Sequence, residues 1–197
     1  MSDYDQLAYK LRKPLSVYLH SYADLDLGIG SAFPTTGHDG AAVQAGARFF
    51  RTDIGIACYY DGARWLTVHQ YSEPLLPAPG IVVPKTDAAY VNNQSVCFNA
   101  AASGHGIYFN AAYGWMFVAT TNNGSNYWEL EITNTGTSCG TFSTAADAAN
   151  TNLYKSATTP VVLAAGRQYW QLRTSNNVGA PGNLSFSFTV FYRLIIT

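Results

Sequence analysis

Two glutamates, Glu129 and Glu131, are the residues of this chain whose type and spacing come nearest to catalytic chemistry. Alternate residues of a strand project from one face about 7 Å apart, close to the carboxylate separation that glycosidases use. A structural interpretation is favoured, because Trp128 and Leu130 would face a core and leave both glutamates in solvent. We therefore expect no catalytic residues, and hydrolysis of a glycan by this pair stays the alternative.

The other side chains that serve catalysis, cofactor binding or metal binding show no productive spacing. None of the four histidines has a second histidine or a carboxylate at a metal-ligand spacing such as HExxH. The sequence also has no GxSxG elbow, no Walker loop and no GxGxxG turn between a strand and a helix. We expect neither a metal site nor a bound cofactor. The histidines are His20, His38, His69 and His105.

Three cysteines, Cys58, Cys97 and Cys139, form no CxxC pair and leave at least one thiol without a disulfide partner. The favoured interpretation is that they are small apolar core residues in a reducing compartment. A disulfide between Cys97 and Cys139 stays open, because the spacing does not require it.

A heavy load of aromatic residues, with 14 Tyr, 10 Phe and 4 Trp, is the most distinctive chemical feature of the chain. Exposed Tyr and Trp rings suit sugar stacking and permanent subunit interfaces equally well. Each tryptophan falls inside a predicted strand, which favours core packing: Trp65, Trp115, Trp128 and Trp170. The candidate glycan or subunit contacts are tyrosines at strand ends or on wet faces: Tyr108, Tyr113, Tyr127 and Tyr154.

The low content of charged residues limits the kinds of partner that the chain is expected to bind. Charged residues make up 12% of the chain and the formal net charge is −1, against about 25% charged residues in an average soluble domain. Nucleic-acid binding depends on a cluster of basic residues that neutralises phosphates, and binding to an anionic membrane surface requires a similar cluster. The few Lys and Arg residues of this chain are scattered, so we expect neither partner. We expect permanent contacts with protein chains or with neutral polar partners such as sugars.

The first residues, Met1 to Tyr4, carry an acidic group where a signal peptide would carry positive charge, and no apolar run follows. No stretch reaches the roughly 18 consecutive apolar residues of a membrane span. We expect synthesis in a cytosol and no membrane insertion.

The elements that must position these residues are predicted to be strands. Residues 85–197 show short apolar runs separated by Gly- and Asn-rich turns, which predicts a β-sandwich or jelly roll. In residues 184–190 apolar and hydroxyl side chains alternate strictly, indicating one buried and one wet face. From residue 191 to 196 both faces of the predicted strand are apolar. This favours a strand that is covered on both faces or that lies at a subunit contact. Residues 145–150 are a candidate short helix.

Residues 46–72 predict a three-stranded β-meander. Residues 48–51, 56–60 and 64–68 are the strands, and Asp61 with Gly62 marks the second turn, where both central residues are expected to adopt positive φ.

The remaining segments are an arm and a linker. Residues 1–45 read as an extended N-terminal arm, with a short helix before Pro14 and irregular, Gly-punctuated chain over residues 24–40. Residues 73–84 hold four prolines, which should exclude ladder strands, and are predicted to be a stiff linker.

At residues 46–69 the chain reads GARFFRTDIGIACYYDGARWLTVH. It resembles G-x-R-F-x-R-T-D-x-G-x-x-x-Y-Y-D-G-x-R-W-L, a hairpin segment of bacteriophage virion proteins, chiefly of the tail and fibre kind. Residues 121–128, 142–147, 181–185 and 192–195 are similar to the terminal β-domains of the same proteins.

This resemblance implies a non-enzymatic virion structural protein that is assembled in the host cytoplasm, with no catalytic residues to carry over. Residues 1–45 would dock onto other virion proteins, the meander would form a collar, and the sandwich would face outward. A homotrimer is expected. A capsid decoration protein and a carbohydrate-binding module that recognises a host surface glycan are the alternatives.

Overall fold

The computed structural model describes residues 25–75, 91–99, 106–163 and 167–197. These residues form thirteen β-strands and no helix, which confirms the all-β prediction. They divide into two compact units, with the division in the chain between His69 and Gln70. The predicted helix before Pro14, the arm up to residue 24 and the linker from residue 76 lie outside the described residues.

The first unit contains four neighbouring strands that include the predicted meander. Its strands are β1 (Asp26–Gly30), β2 (Arg48–Arg51), β3 (Ile56–Tyr60) and β4 (Trp65–Thr67). β2, β3 and β4 are antiparallel neighbours in sequence order, as predicted. In β2 the buried residues Phe49 and Arg51 alternate with the exposed Arg48 and Phe50, whereas all three residues of β4 are buried.

β1 corrects the prediction of irregular chain over residues 24–40. It pairs in parallel with β2, and Arg48 N donates to Leu25 O at 2.5 Å. Gly28 has a φ of +81° within this strand and interrupts the register, so a five-residue segment with two glycines carries no visible strand period. Residues 25–45 therefore fold with the meander.

The turn between β3 and β4 differs from the predicted geometry. Of the two central residues only Gly62 has a positive φ, +102°. Asp61 instead accepts hydrogen bonds at its Oδ1 from the backbone N–H groups of Ala63 and Arg64, both at 2.8 Å. The carboxylate thus closes a four-residue loop, as Asp side chains often do in turns.

The second unit is a sandwich of two antiparallel sheets, as predicted. One sheet joins β5 (Tyr71–Leu75), β13 (Leu184–Ile196) and β7 (Gly106–Val118), with β10 (Asn152–Ala157) and β11 (Val161–Leu163) both paired to the far side of β7. The other runs in the order β6 (Val91–Asn99), β12 (Arg167–Val178), β8 (Tyr127–Asn134) and β9 (Thr137–Ser143). Aromatic pairs join the sheets: Phe142 to Phe188 with ring centroids 4.4 Å apart, and Phe109 to Trp170 at 5.9 Å.

β13 keeps its alternation beyond the point where the sequence predicts a change. Val190, Tyr192 and Leu194 are buried, while Phe191 and Ile195 are half-buried on the outer face. The expectation that both faces of this segment are apolar is wrong in one respect, because Arg193 also lies on the outer face.

Pro74 corrects the expectation that the Pro-rich stretch excludes ladder strands. It lies within β5, opposite Thr189 of β13. β5 pairs with β13 on one side, and a proline is tolerated in such an edge strand because its missing N–H can face away from the ladder.

Residues 145–150 form turns where a short helix was predicted. The buried side chain of Asn122 holds them, with its Nδ2 donating to Thr144 O at 2.9 Å and to Asp147 O at 2.8 Å. Asn150 ends the segment with a φ of +59°. The two carbonyls that a helix would use internally are therefore taken by a side chain from another loop.

Candidate functional site

An aromatic groove lies on the outer face of the β5–β13–β7–β10 sheet, and it holds two of the four predicted contact tyrosines. Tyr113 and Trp115 project outward from β7, and Tyr154 lies directly opposite Trp115 on β10. With Ser156, opposite Tyr113, they line a groove of ≈ 460 Å³. We call this surface the aromatic groove.

The three rings differ in exposure in a way that shapes the groove. Tyr154 is 86% exposed and Tyr113 is 51% exposed, whereas Trp115 is half-buried. Trp115 lies on a central strand, between its neighbours on β10 and β13, while Tyr154 stands on the strand beside it. Trp115 therefore forms the floor, and the two tyrosines form adjoining walls, Tyr113 along β7 and Tyr154 across from Trp115 on β10.

Gly114 allows close packing beneath the aromatic groove, on the inner side of β7. A Cβ at this position would meet the backbone oxygen of Ser187 and come within 2.5 Å of Phe188 Cδ1. The Phe188 ring fills the space that a side chain would take, and it packs in turn on Phe142 of the opposite sheet. The groove consequently rests on a packed core of strands and not on loops.

Hydroxyl groups border the aromatic rings. Ser156 lies opposite Tyr113 on the β10 side, and on the β13 side Thr189 lies opposite Tyr113 and Ser187 opposite Trp115. Each hydroxyl can donate one hydrogen bond and accept two. The border can therefore satisfy a ligand that carries both donors and acceptors.

The groove is electrically neutral. Lys155 is the charged residue among those that line it, and its Nζ forms an ion pair with the Asp147 carboxylate. An ammonium already paired with a carboxylate offers little attraction to a second anion. The groove thus favours uncharged partners.

Phe191 extends the aromatic surface along β13. Its ring meets the Tyr113 ring edge-on, with centroids 5.9 Å apart and planes at 67°. This contact holds one wall of the groove in place.

The other two predicted tyrosines lie elsewhere. Tyr108 is half-buried on β7, opposite Arg193 of β13, and a bulge at Asn110 separates it from Tyr113. Tyr127 begins β8 in the other sheet. The structure therefore brings Tyr113 and Tyr154 together and leaves Tyr127 apart from them.

Trp115 was missed as a site residue, because all four tryptophans were predicted to be core residues. Trp65, Trp128 and Trp170 are buried, but Trp115 is on the outer face. The signal was present in the sequence: Trp115 follows Tyr113 by two residues in the same predicted strand, so the two must share one face.

Glu129 and Glu131 occupy one face of β8, as their spacing predicts, and both are half-buried. They lie opposite Ser143 and Thr141 of the neighbouring strand β9. Within the described ranges, no three His, Cys, Asp or Glu side chains come together in a way that could hold a metal ion. The same ranges include no helix long and apolar enough to cross a membrane.

Two of the three cysteines, Cys58 and Cys139, have buried thiols of low reactivity. Burial raises the pKa of Cys58 to about 11 and that of Cys139 to about 12. Cys139 is a free cysteine, so the disulfide with Cys97 that the sequence left open is not formed. Neither thiol is poised as a nucleophile, because the reactive form is the thiolate.

The chain matches no protein-family model and no curated protein. Among solved structures it is similar to the CBM36-1 domain of a multidomain xylanase from the hindgut metagenome of Trinervitermes trinervoides, with 12% identity and a TM-score of 0.33. That likeness covers 66% of this chain and 98% of the domain. A structure of infectious bursal disease virus, Gx strain, gives 13% identity and a TM-score of 0.33, over 71% of this chain and 43% of the viral chain.

An insecticidal delta-endotoxin from Bacillus thuringiensis is also similar, at 13% identity and a TM-score of 0.30. The likeness covers 56% of this chain, which spans only 19% of the toxin. At such identities and scores these similarities concern all-β architecture and carry no argument about activity or partner.

Proposed function

We propose that this chain is a non-enzymatic structural component of a bacteriophage virion, of the tail or fibre type. In this proposal the first unit attaches to other virion proteins and the β-sandwich faces outward. The observation that carries the proposal is that the residues behind the resemblance at 46–69 build the core of a folded unit.

The motif residues of that segment are engaged in packing. The Arg51 guanidinium donates from Nε to Asp53 Oδ1 at 2.8 Å and from Nη2 to Asp53 Oδ2 at 2.7 Å. Its Cζ also lies 4.7 Å from the centroid of the Phe33 ring, and that ring stacks on Trp65 with centroids 4.5 Å apart. Such contacts suit a structural unit, because the Arg51 guanidinium and the Asp53 carboxylate are already paired within it.

An exposed apolar row on the first unit supports permanent contact with other chains. Ile29, Phe50 and Ala57 lie opposite one another on β1, β2 and β3, and Val68 N donates to Ala57 O at the end of β4. Ile29 is 73% exposed, Phe50 38% and Val68 46%. We call these four residues the apolar row. Solvent exposure of such a row disfavours an isolated chain, so we place virion contacts, including those of a homotrimer, on this face.

The position on the particle is tested by locating the protein. Phage particles from a lysate are purified by density gradient, and antibodies against the chain are applied with gold labelling in electron microscopy. We expect label on the tail or its fibres. Label on the head would assign the alternative of a capsid decoration protein, and absence of the chain from purified particles would refute the virion role.

The non-enzymatic part is tested with host polysaccharide. We expect neither the native chain nor a Glu129→Gln variant to release reducing ends. Release by the native chain that is lost in the variant would favour the glycan-hydrolase alternative.

A second candidate function, recognition of a carbohydrate receptor, is favoured by one observation. The outward face of the sandwich carries the aromatic groove, which is neutral and bordered by hydroxyl groups. A virion protein that exposes such a groove could also bind the host surface.

A further inference from the structure

We propose that the aromatic groove binds uncharged pyranose sugars, one ring stacking on Trp115 between Tyr113 and Tyr154. The proposal rests on the second candidate function above and specifies its ligand class. It concerns the sandwich alone, so it does not depend on how the first unit is attached.

The spacing of the rings suits a sugar. Tyr113 and Trp115 stand about 7 Å apart along β7, and directly opposed residues such as Trp115 and Tyr154 have Cβ atoms about 5 Å apart. A pyranose ring has a flat face of C–H groups that can lie on an aromatic ring, with hydroxyls around its edge. Trp115 provides the apolar floor for that face, and the groove of ≈ 460 Å³ falls in the size range of small-ligand sites.

The border of the groove suits the edge of the same sugar. Ser156 lines the groove, and on the neighbouring strand Ser187 and Thr189 lie opposite Trp115 and Tyr113. Each hydroxyl can donate to or accept from a sugar hydroxyl. An apolar peptide side chain would leave these groups without partners, which costs free energy on burial.

Charge separates neutral sugars from acidic ones. The ammonium of Lys155 is paired with Asp147, so a uronate, sialate or sulfate would lose water without gaining an ion pair. The groove therefore discriminates against anionic glycans, and its affinity for neutral ones should respond little to salt.

Two of the three rings are preorganised. Trp115 is half-buried on a central strand, and Phe191 supports Tyr113. These two side chains therefore lose less freedom on binding than the more exposed Tyr154.

A second copy of the chain is the main competitor for this face. Six residues line the groove, whereas a stable protein interface buries about 800 Å² on each partner. The groove is small and hydroxyl-bordered, in contrast to the apolar row of the first unit, and this difference favours a small polar ligand.

The test uses the full chain and a panel of neutral oligosaccharides of glucose, galactose, mannose and N-acetylglucosamine, with sialylated and uronate oligosaccharides as the charged set. Binding is measured by calorimetry and by protection of tryptophan fluorescence from acrylamide. Trp115 is the half-exposed tryptophan and the other three are buried, so a bound sugar should protect the quenchable fraction.

We expect at least one neutral sugar to bind, and Tyr154→Ala to weaken it by about tenfold or more. Tyr154 is so exposed that its truncation should not disturb folding. Trp115→Phe keeps a ring and should retain part of the affinity, and Tyr127→Ala, on the other sheet, is the matched control and should leave binding unchanged.

The proposal is overturned if no neutral sugar binds at millimolar concentration, if charged glycans bind better, or if Tyr154→Ala and Tyr127→Ala behave alike. A Tyr154→Ala variant whose mass by light scattering falls below that of the native chain would assign the groove to a subunit contact and also overturn it. None of these outcomes affects the location of the protein on the particle, which the gold labelling decides separately.

Discussion

At the residue scale, three buried groups hold their protons more tightly in the folded chain than in an unfolded one. Burial is the main cause for each, raising the pKa of Cys58 to about 11 and those of Cys139 and Tyr192 to about 12. Tyr192 also stacks on Tyr71, with centroids 5.6 Å apart. Their ionisation therefore opposes folding.

These raised pKa values predict a loss of stability in alkali. Because the folded pKa lies above the unfolded one, the contribution is fully present below about pH 9, the ordinary thiol value, and is lost as the pH rises towards the folded values. Urea unfolding between pH 8 and pH 10.5 should show a falling free energy of unfolding. A Cys58→Ala variant should show a shallower fall, and a constant free energy across this range would contradict the prediction.

Arg51 is predicted to act through its shape as well as its charge. The guanidinium holds the pKa of Asp53 below its ordinary value, mainly through the hydrogen bond, and covers Phe33. Lysine keeps the charge but cannot make the forked bond or stack as a plane. Arg51→Lys should lower the free energy of unfolding by about 1 kcal/mol, measured by urea unfolding. Arg48→Lys, at an exposed position of the same strand, is the control and should change little.

The residues of the candidate site were only partly predictable. Tyr113 and Tyr154 were identified from their wet positions, since alternation along a strand reports the face of a side chain directly. Trp115 was assigned to the core because tryptophan is usually buried. The alternation along the strand gives the correct, outer face. The meeting of Tyr113 with Tyr154 depends on the pairing of β7 with β10, which no local pattern reports.

At the element scale, β7 carries Tyr113 and Trp115 of the aromatic groove and is enclosed by strands on both sides. It pairs with β13 on one side and with β10 and β11 on the other. Its Gly114 is needed because the backbone of Ser187 and the ring of Phe188 occupy the space of a Cβ.

Gly114→Ala should therefore destabilise the sandwich strongly. The added methyl group can be accommodated only by moving β13 or Phe188, and such overpacking should cost about 2–4 kcal/mol. Thermal unfolding followed by circular dichroism measures the effect. Gly124→Ala is the matched control, since its nearest neighbour, Ala145 O, lies 3.9 Å from the new atom. Equal unfolding temperatures for the two variants would refute this account of the strand.

Strand prediction succeeded where the apolar alternation was strong and failed where it was weak. β8 and β13 combine aromatic or aliphatic residues with a clear period, whereas β2 and β3 were predicted as short apolar runs on either side of turn signals. In contrast, β10 is polar along most of its length and alternates only between exposed and half-buried positions. Such edge strands are defined by the partner strand they join, so their own residues carry little signal.

At the scale of the whole molecule, the low content of charged residues means that contacts with partners depend on apolar packing and on hydrogen bonds from hydroxyl groups. A chain with 12% charged residues has little long-range electrostatic steering or repulsion. The two exposed surfaces then differ in kind: the four side chains of the apolar row are all hydrocarbon, whereas the aromatic groove combines rings with hydroxyl groups. This contrast is the reason to assign a protein partner to the row and a small polar ligand to the groove.

The proposed homotrimer gives the last prediction. Light scattering should report about three times the chain mass of 21.3 kDa, and high salt should not lower it, because the apolar row carries no ion pair for salt to screen. Phe50→Lys and Ile29→Lys each place a charge on the row, which would be buried without a partner in the trimer, so both should reduce the mass. Val162→Lys, at an exposed apolar position of the sandwich, is the matched control and should leave it unchanged. A native chain that is a monomer refutes the trimer, whereas a trimer unaffected by either row variant moves the subunit contact away from the first unit and leaves the row to another virion protein.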